Sequence, residues 1–218
     1  MAFTVLVVCT GNIARSPMTE LLMRAMSDPQ SGLVVSSVGV HALVGQPMDP
    51  GSAAAMSKLG LDPGLHRARQ FEPVMAEKAD LILTAERYHL EIVLHQAPTA
   101  LRRTFTIKEF ARIAEHVRPG TPKQVVARAA AARGLATTPA HPAADDVADP
   151  HGQSVKVNLA TARELATAVH AIVTALGLGP PAETTSADTA SAAATGPAET
   201  AADGGGAPPR RRPKPYRR

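Results

Sequence analysis

A single cysteine in 218 residues excludes an internal disulfide framework, and a lone thiol kept for chemistry must stay reduced, so the cytoplasm is the expected compartment. Tryptophan is absent and aromatics make up only 3 % of the chain, which leaves Val, Leu, Ile, Ala and Met to build the core. No apolar run approaches the ~20 residues that cross a bilayer, and the opening segment lacks the pattern of a secretory leader. Metal-ligand spacings, a Gly-Lys-Ser/Thr nucleotide loop and a second half that would serve a cofactor are all missing, so neither metal nor cofactor is expected. A strong charge of one sign is missing too. The net charge is +4, and residues 179–218 hold six basic against four acidic side chains, so half of it lies in that tail.

What is present gathers around the cysteine. Phe3, Val5, Leu6, Val7 and Val8 read as a strand that ends at Cys9, followed by Thr10-Gly11-Asn12-Ile13-Ala14-Arg15-Ser16-Pro17 and a helical pattern. A strand, a tight loop and a helix in this order bring the sulfur to the C-terminal edge of a sheet. The loop amides and the positive end of the helix then face inward as an anion site. The same field favours the thiolate form of Cys9, a nucleophile. Arg15 can grip two phosphate oxygens with its planar fork, which lysine cannot do. Thr10, Gly11, Asn12, Ile13, Ala14 and Ser16 are the candidate substrate-binding residues. Asn12 suits a left-handed backbone and can tie the loop together, and the Ser16 hydroxyl can donate to the thiolate. Phosphate-ester cleavage also needs an acid for the leaving oxygen, and the same group can then activate water. Asp145, Asp146 and Asp149 all meet that need on sequence grounds, with Pro150 stiffening the chain after Asp149.

Strand-like and helix-like stretches alternate, which predicts an α/β fold: a doubly wound, four-stranded parallel sheet with helices on both faces and the phosphate-binding loop after strand one. Strands are expected at about 3–8, 34–40, 80–84 and 103–107, and helices at about 17–26, 49–59, 86–95, 108–117, 122–133 and 154–176. The last helix would turn Val157, Leu165, Val169, Ile172 and Leu176 to the core. One domain is expected over 1–177, with 118–145 as an Ala/Arg-rich insertion. Residues 178–218 are too poor in large apolar side chains to offset their ordering entropy, which predicts a disordered tail with a basic end. That end, Arg210-Arg211-Arg212-Pro213-Lys214-Pro215-Tyr216-Arg217-Arg218, would suit a weak anionic partner.

The run from Val8 to Pro17 resembles the low-molecular-weight protein tyrosine phosphatase family. So do Gly45-Gln46-Pro47-Met48-Asp49-Pro50, His66-Arg67-Ala68-Arg69-Gln70, Asp80-Leu81-Ile82-Leu83 and Asp149-Pro150, all in the family's order. The resemblance covers roughly residues 3 to 176. It implies a phosphocysteine mechanism with Cys9 as nucleophile, Arg15 as phosphate clamp and Asp149, the aspartate of the Asp-Pro pair, as general acid and base. Ser37 and His66 are implied as structural supports of the loop. A phosphotyrosine protein substrate is implied, with a bacterial tyrosine kinase as one candidate partner. The isoleucine at position 13 resembles the tyrosine-phosphatase members, whereas threonine there marks phosphoarginine specificity. Two departures stand out. Ala14 replaces a frequent second cysteine, which removes that route to redox rescue of Cys9. His151 replaces the aromatic that usually follows Asp-Pro, and the facing loop reads His41-Ala42-Leu43-Val44, so a substrate ring would meet Leu43, Val44 and His151. Two rivals stand beside this reading. One is a single-cysteine arsenate reductase coupled to an external thiol, and the other is a regulatory protein that binds phosphate or anionic surfaces through the basic tail.

Overall fold

The computed structural model describes residues 2–64, 66–134 and 141–180. Four parallel strands, β1 (Phe3–Cys9), β2 (Leu33–Gly39), β3 (Leu81–Thr84) and β4 (Thr104–Thr106), form one sheet in the order β2-β1-β3-β4. The helices are α1 (Arg15–Met26), α2 (Pro50–Lys58), α3 (Pro73–Lys78), α4 (Arg87–Gln96), α5 (Ile107–Ala114), α6 (Pro122–Ala132) and α7 (Val155–Ala175). Period-two alternation sends Val5, Val7, Leu81 and Leu83 into one core with α1, α5, α6 and α7. It sends Leu6, Val8 and Ile82 into a second core, with Ala76 of α3 and Val93 of α4. The doubly wound parallel sheet is therefore as the alternation predicts. β1 has β2 on one side and β3 on the other, so the chain reverses its winding beside β1. Ligands of open α/β sheets bind at such a point, outside the carboxyl ends of the strands, and Cys9 stands there.

Several elements differ from the expectation. Helix α1 starts at Arg15, not Pro17, because the loop runs straight into a helical turn, with Met18 N donating to Ala14 O at 3.1 Å. β4 has only three residues: Arg103 closes a 3₁₀ turn (Pro98–Arg103), and Thr106 caps α5 through a reciprocal box with Glu109. α5 stops at Ala114. α3 is too short, with only Ala76 buried, to leave a periodic signature. Val157 is 42 % exposed rather than in the core, because Asn158 takes the inward position one turn-pair before Leu165. Packing continues beyond Gly177: Leu178 is buried, and its carbonyl accepts from Asp28 N at 2.8 Å. Within 118–145, α6 buries Val125, Val126 and Ala129 in the main core, and the Arg133 guanidinium lies 4.0 Å from the centroid of the Phe105 ring. Residues 1–182 and 183–218 group as separate units. The second, with the expected disorder, Tyr216 and the basic end, lies outside the described residues. No helix among the described residues is long and apolar enough to cross a membrane.

Candidate active site

The loop after β1 owes its shape to where its carbonyls go. Cys9 O accepts from Val40 N at 2.9 Å, Thr10 O from His41 N at 3.0 Å and Gly11 O from Leu43 N at 3.0 Å. Asn12 O accepts from His66 Nε2 at 2.6 Å, Ile13 O from Asp49 N at 2.7 Å and Ala14 O from Met18 N. Every loop carbonyl thus points out to a partner. Among the described residues, none accepts from the amides of Gly11, Asn12, Ile13 or Ala14, which leaves an inward ring of donors. Asn12, fully buried, holds a left-handed φ of 55°. Its Nδ2 donates to Ser16 Oγ at 2.9 Å and Ser37 Oγ at 3.0 Å, and its Oδ1 accepts from Arg69 N at 2.8 Å. Ser16 Oγ lies 2.9 Å from Cys9 Sγ. Because Asn12 donates to that hydroxyl, the single Ser16 proton is shared between the sulfur at 2.9 Å and Val38 O at 3.3 Å.

Gly39, at the end of β2, went unnoticed in the sequence. A Cβ there would lie 2.3 Å from Thr10 O and 2.9 Å from Asn12 N, both backbone atoms that cannot swing away. Gly39→Ala is expected to cost about 3 kcal/mol of stability and to lower turnover at least tenfold by displacing the loop. Denaturant unfolding and steady-state kinetics read both, and wild-type values in either would remove Gly39 from this account.

Arg15 is 2 % exposed and reaches in four directions. Nη1 donates to Glu86 and to Val147 O at 3.1 Å, and Nη2 to Asp149 Oδ2 at 2.9 Å and Thr10 Oγ1 at 3.4 Å. Its buried Nε has no hydrogen-bond partner among the described residues. An unpaired buried guanidinium donor is costly, and an oxyanion seated in the loop would satisfy it together with the inward amides. Glu86 is the buried cation's compensating charge.

His89, three residues further on, supports Thr10. Glu86 N donates to its Nδ1 at 3.1 Å, so the neutral ring carries its proton on Nε2, which donates to Thr10 Oγ1 at 2.8 Å. Burial, reinforced by the Arg15 charge, lowers the pKa of His89 from 6.5 to about 4. The folded state therefore binds this proton less readily than the unfolded chain. The stability His89 contributes is intact above about pH 6.5 and is lost as pH falls toward 4, a difference of ~3 kcal/mol. Unfolding measured at pH 7 and pH 4.5 should show this slope in the wild type and a clearly shallower one in His89→Gln; equal slopes would contradict it.

Of the three candidate acids, only Asp149 faces the site. Asp145 is buried in an ion pair with Arg112 Nη2 at 2.8 Å, and Asp146 Oδ1 caps α4 by accepting from Arg87 N at 2.8 Å. The Asp149 loop is anchored by Asn158, whose Nδ2 donates to Pro150 O at 3.0 Å and whose Oδ1 accepts from Ser52 Oγ at 2.8 Å. Cys9, buried at its base, Thr10, Gly11, Ile13, Ala14, Arg15 and Asp149 line one pocket of about 270 Å³, with walls from His41, Leu43 and His151. Val44 is not part of the wall: it is 67 % exposed and turned to solvent, and His41 takes the place expected for it. His151 Nδ1 is 3.0 Å from Asp49 Oδ1, and the other carboxylate oxygen, Asp49 Oδ2, caps α2 by accepting from Ser52 N. None of the described part of 118–145 lines this pocket.

A loop of unpartnered amides, with a thiol and a paired guanidinium beside it, thus sits at the carboxyl edge of a parallel α/β sheet. The model of the low molecular weight phosphotyrosine protein phosphatase family matches residues 4–123. The chain belongs to that family. The probable low molecular weight protein-tyrosine-phosphatase EpsP of Ralstonia nicotianae is 38 % identical over 109 residues, 50 % of this chain and 73 % of that protein. The tyrosine phosphatase amsI of Erwinia amylovora superposes with a TM-score of 0.61 at 25 % identity, over 81 % of this chain and 94 % of its own. The YwlE arginine phosphatase of Geobacillus stearothermophilus gives 0.62 at 26 % identity, over 80 % and 93 %. The family match ends before Asp149, so the tie between the acid loop and the cysteine loop is seen only in the folded chain.

Proposed function

We propose that this chain hydrolyses phosphotyrosine in proteins through a phosphocysteine intermediate. The observation that carries the reading is one pocket lined by Cys9, loop residues whose amides have no partner among the described residues, and Arg15, whose buried Nε is unpartnered too. A phosphate dianion satisfies these donors and brings phosphorus in line with Sγ. The Cys9 thiolate attacks, an S–P bond forms and the P–O bond to the aryl group breaks. Arg15 and the loop amides hold the charge that develops on the equatorial oxygens. Asp149, released from its ion pair with Arg15 by the phosphate and protonated in that complex, gives its proton to the leaving phenolate. Its carboxylate then takes a proton from water, the water oxygen attacks phosphorus, and the S–P bond breaks to return thiolate and inorganic phosphate. Ser16 stabilises the thiolate at both ends of the cycle. Glu86 stays with Arg15 throughout, so the guanidinium keeps its place while Asp149 is exchanged. Ile13 at the pocket wall favours an aryl phosphate over phosphoarginine, and a bacterial tyrosine kinase is a fitting protein substrate. A reduced Cys9 suits the cytoplasm.

The test is steady-state hydrolysis of a phosphotyrosine peptide between pH 5 and 8 with a chelator present, beside a phosphoarginine peptide and thiol-coupled reduction of arsenate. Turnover of the first well above the other two supports the reading. No turnover of the first, with arsenate reduced at the expense of an external thiol, overturns it.

A further inference from the structure

The four phenylalanines, Phe3, Phe71, Phe105 and Phe110, are all buried. Tyr88 is the single exposed phenyl or phenol ring among the described residues, at 50 %. Its place is not an arbitrary stretch of surface. Three residues at the start of α4 reach the site: Glu86 pairs with Arg15, Tyr88 Oη lies 3.4 Å from His41 Nε2, and His89 supports Thr10, while Arg87 N is held by Asp146 outside it. Glu86 and His89 lock this turn to the loop, so Tyr88 is carried at a set offset from Cys9. Its ring packs edge-on against His89, with centroids 5.6 Å apart at 67°, which limits its rotation.

His41 lines the pocket and Tyr88 does not, so Tyr88 stands one layer farther out than the space an aryl phosphate fills. An aromatic ring left half in water, yet held by a ring contact and a hydrogen bond, offers a large contact area at little further entropic cost. The inner walls, Leu43, His41 and His151, lack a phenyl, phenol or indole ring. The geometry points to Tyr88, braced by His41, as a specificity-determining residue that receives the polypeptide flanking a phosphotyrosine, so that the site selects phosphoproteins over small aryl phosphates. This rests on the phosphatase reading above and adds to it the residue that selects the protein substrate.

The experiment compares kcat and KM of wild type, Tyr88→Ala and Tyr88→Phe on a phosphotyrosine peptide and on phenyl phosphate. The wild-type preference for the peptide, as a ratio of kcat/KM values, is expected to fall about tenfold in Tyr88→Ala. The loss should lie in the peptide KM with kcat on the peptide maintained, and Tyr88→Phe, which keeps the ring, should retain most of the preference. A Tyr88→Ala ratio within twofold of wild type overturns the inference, as does an equal fall on both substrates, which would mean that Tyr88 only packs on His89. A wild type inactive on both substrates would sink the phosphatase reading and this inference with it. An active wild type with an unchanged ratio sinks this inference alone.

Discussion

Cys9→Ser is expected to lower hydrolysis of a phosphotyrosine peptide by at least about 10⁴-fold while leaving phosphate binding in place. The sulfur sits at the base of the pocket, buried, with Ser16 Oγ 2.9 Å away as its hydrogen-bond partner. A serine oxygen occupies nearly the same position but is a neutral hydroxyl at neutral pH, and among the described residues its hydrogen-bond partner is Ser16, not a base that could remove its proton. The donors that hold phosphate are untouched, since the amides of residues 11–14 and Arg15 owe their places to outward carbonyl bonds, Glu86 and Val147. Residual rate and calorimetric binding of inorganic phosphate check the two halves separately. Turnover within tenfold of wild type would mean that another group attacks phosphorus.

Asp149→Asn is expected to slow turnover at least about a hundredfold, and more for phenyl phosphate than for an ester with a strongly acidic phenol. Asparagine keeps an oxygen for Arg15 Nη2 and so preserves the 2.9 Å contact, but it has no proton to give the leaving oxygen. A poor leaving group needs that proton most, so dependence on the leaving group separates acid catalysis from simple positioning. Asp145→Asn is the internal comparison. It weakens the ion pair with Arg112, which lies away from the pocket, so it should lower the unfolding midpoint without introducing leaving-group dependence. Equal losses on both leaving groups in Asp149→Asn would remove Asp149 from the acid role.

The chemistry legible in the sequence is the chemistry that is local. Cys9, Arg15 and Ser16 lie within eight residues, between a strand and a helix that each announce themselves by periodicity, so their types and spacing already specify an anion loop with a thiol. The alternation of strands and helices likewise specified a parallel sheet, because parallel strands require crossovers. Glu86, His89, Gly39 and Asn158 left no comparable signal. Glu86 and His89 look like ordinary first-turn residues of a helix, and only the pairing of β3 beside β1 brings that turn against Arg15 and Thr10. Gly39 matters because β2 flanks β1 on its other side and brings its end against the loop backbone. By residue type alone the three aspartates are equivalent, and only the family resemblance of Asp149-Pro150 singles one out. What separates them is that Asp145 and Asp146 are spent on Arg112 and on the end of α4, which leaves Asp149 facing Arg15. The sequence by itself determined the fold class and the thiol-bearing loop after β1, because backbone periodicity and one tight turn are short-range properties. Which residues brace that loop, neutralise its arginine and face it with an acid was decided by strand order, since those contacts join positions 25 to 134 residues apart.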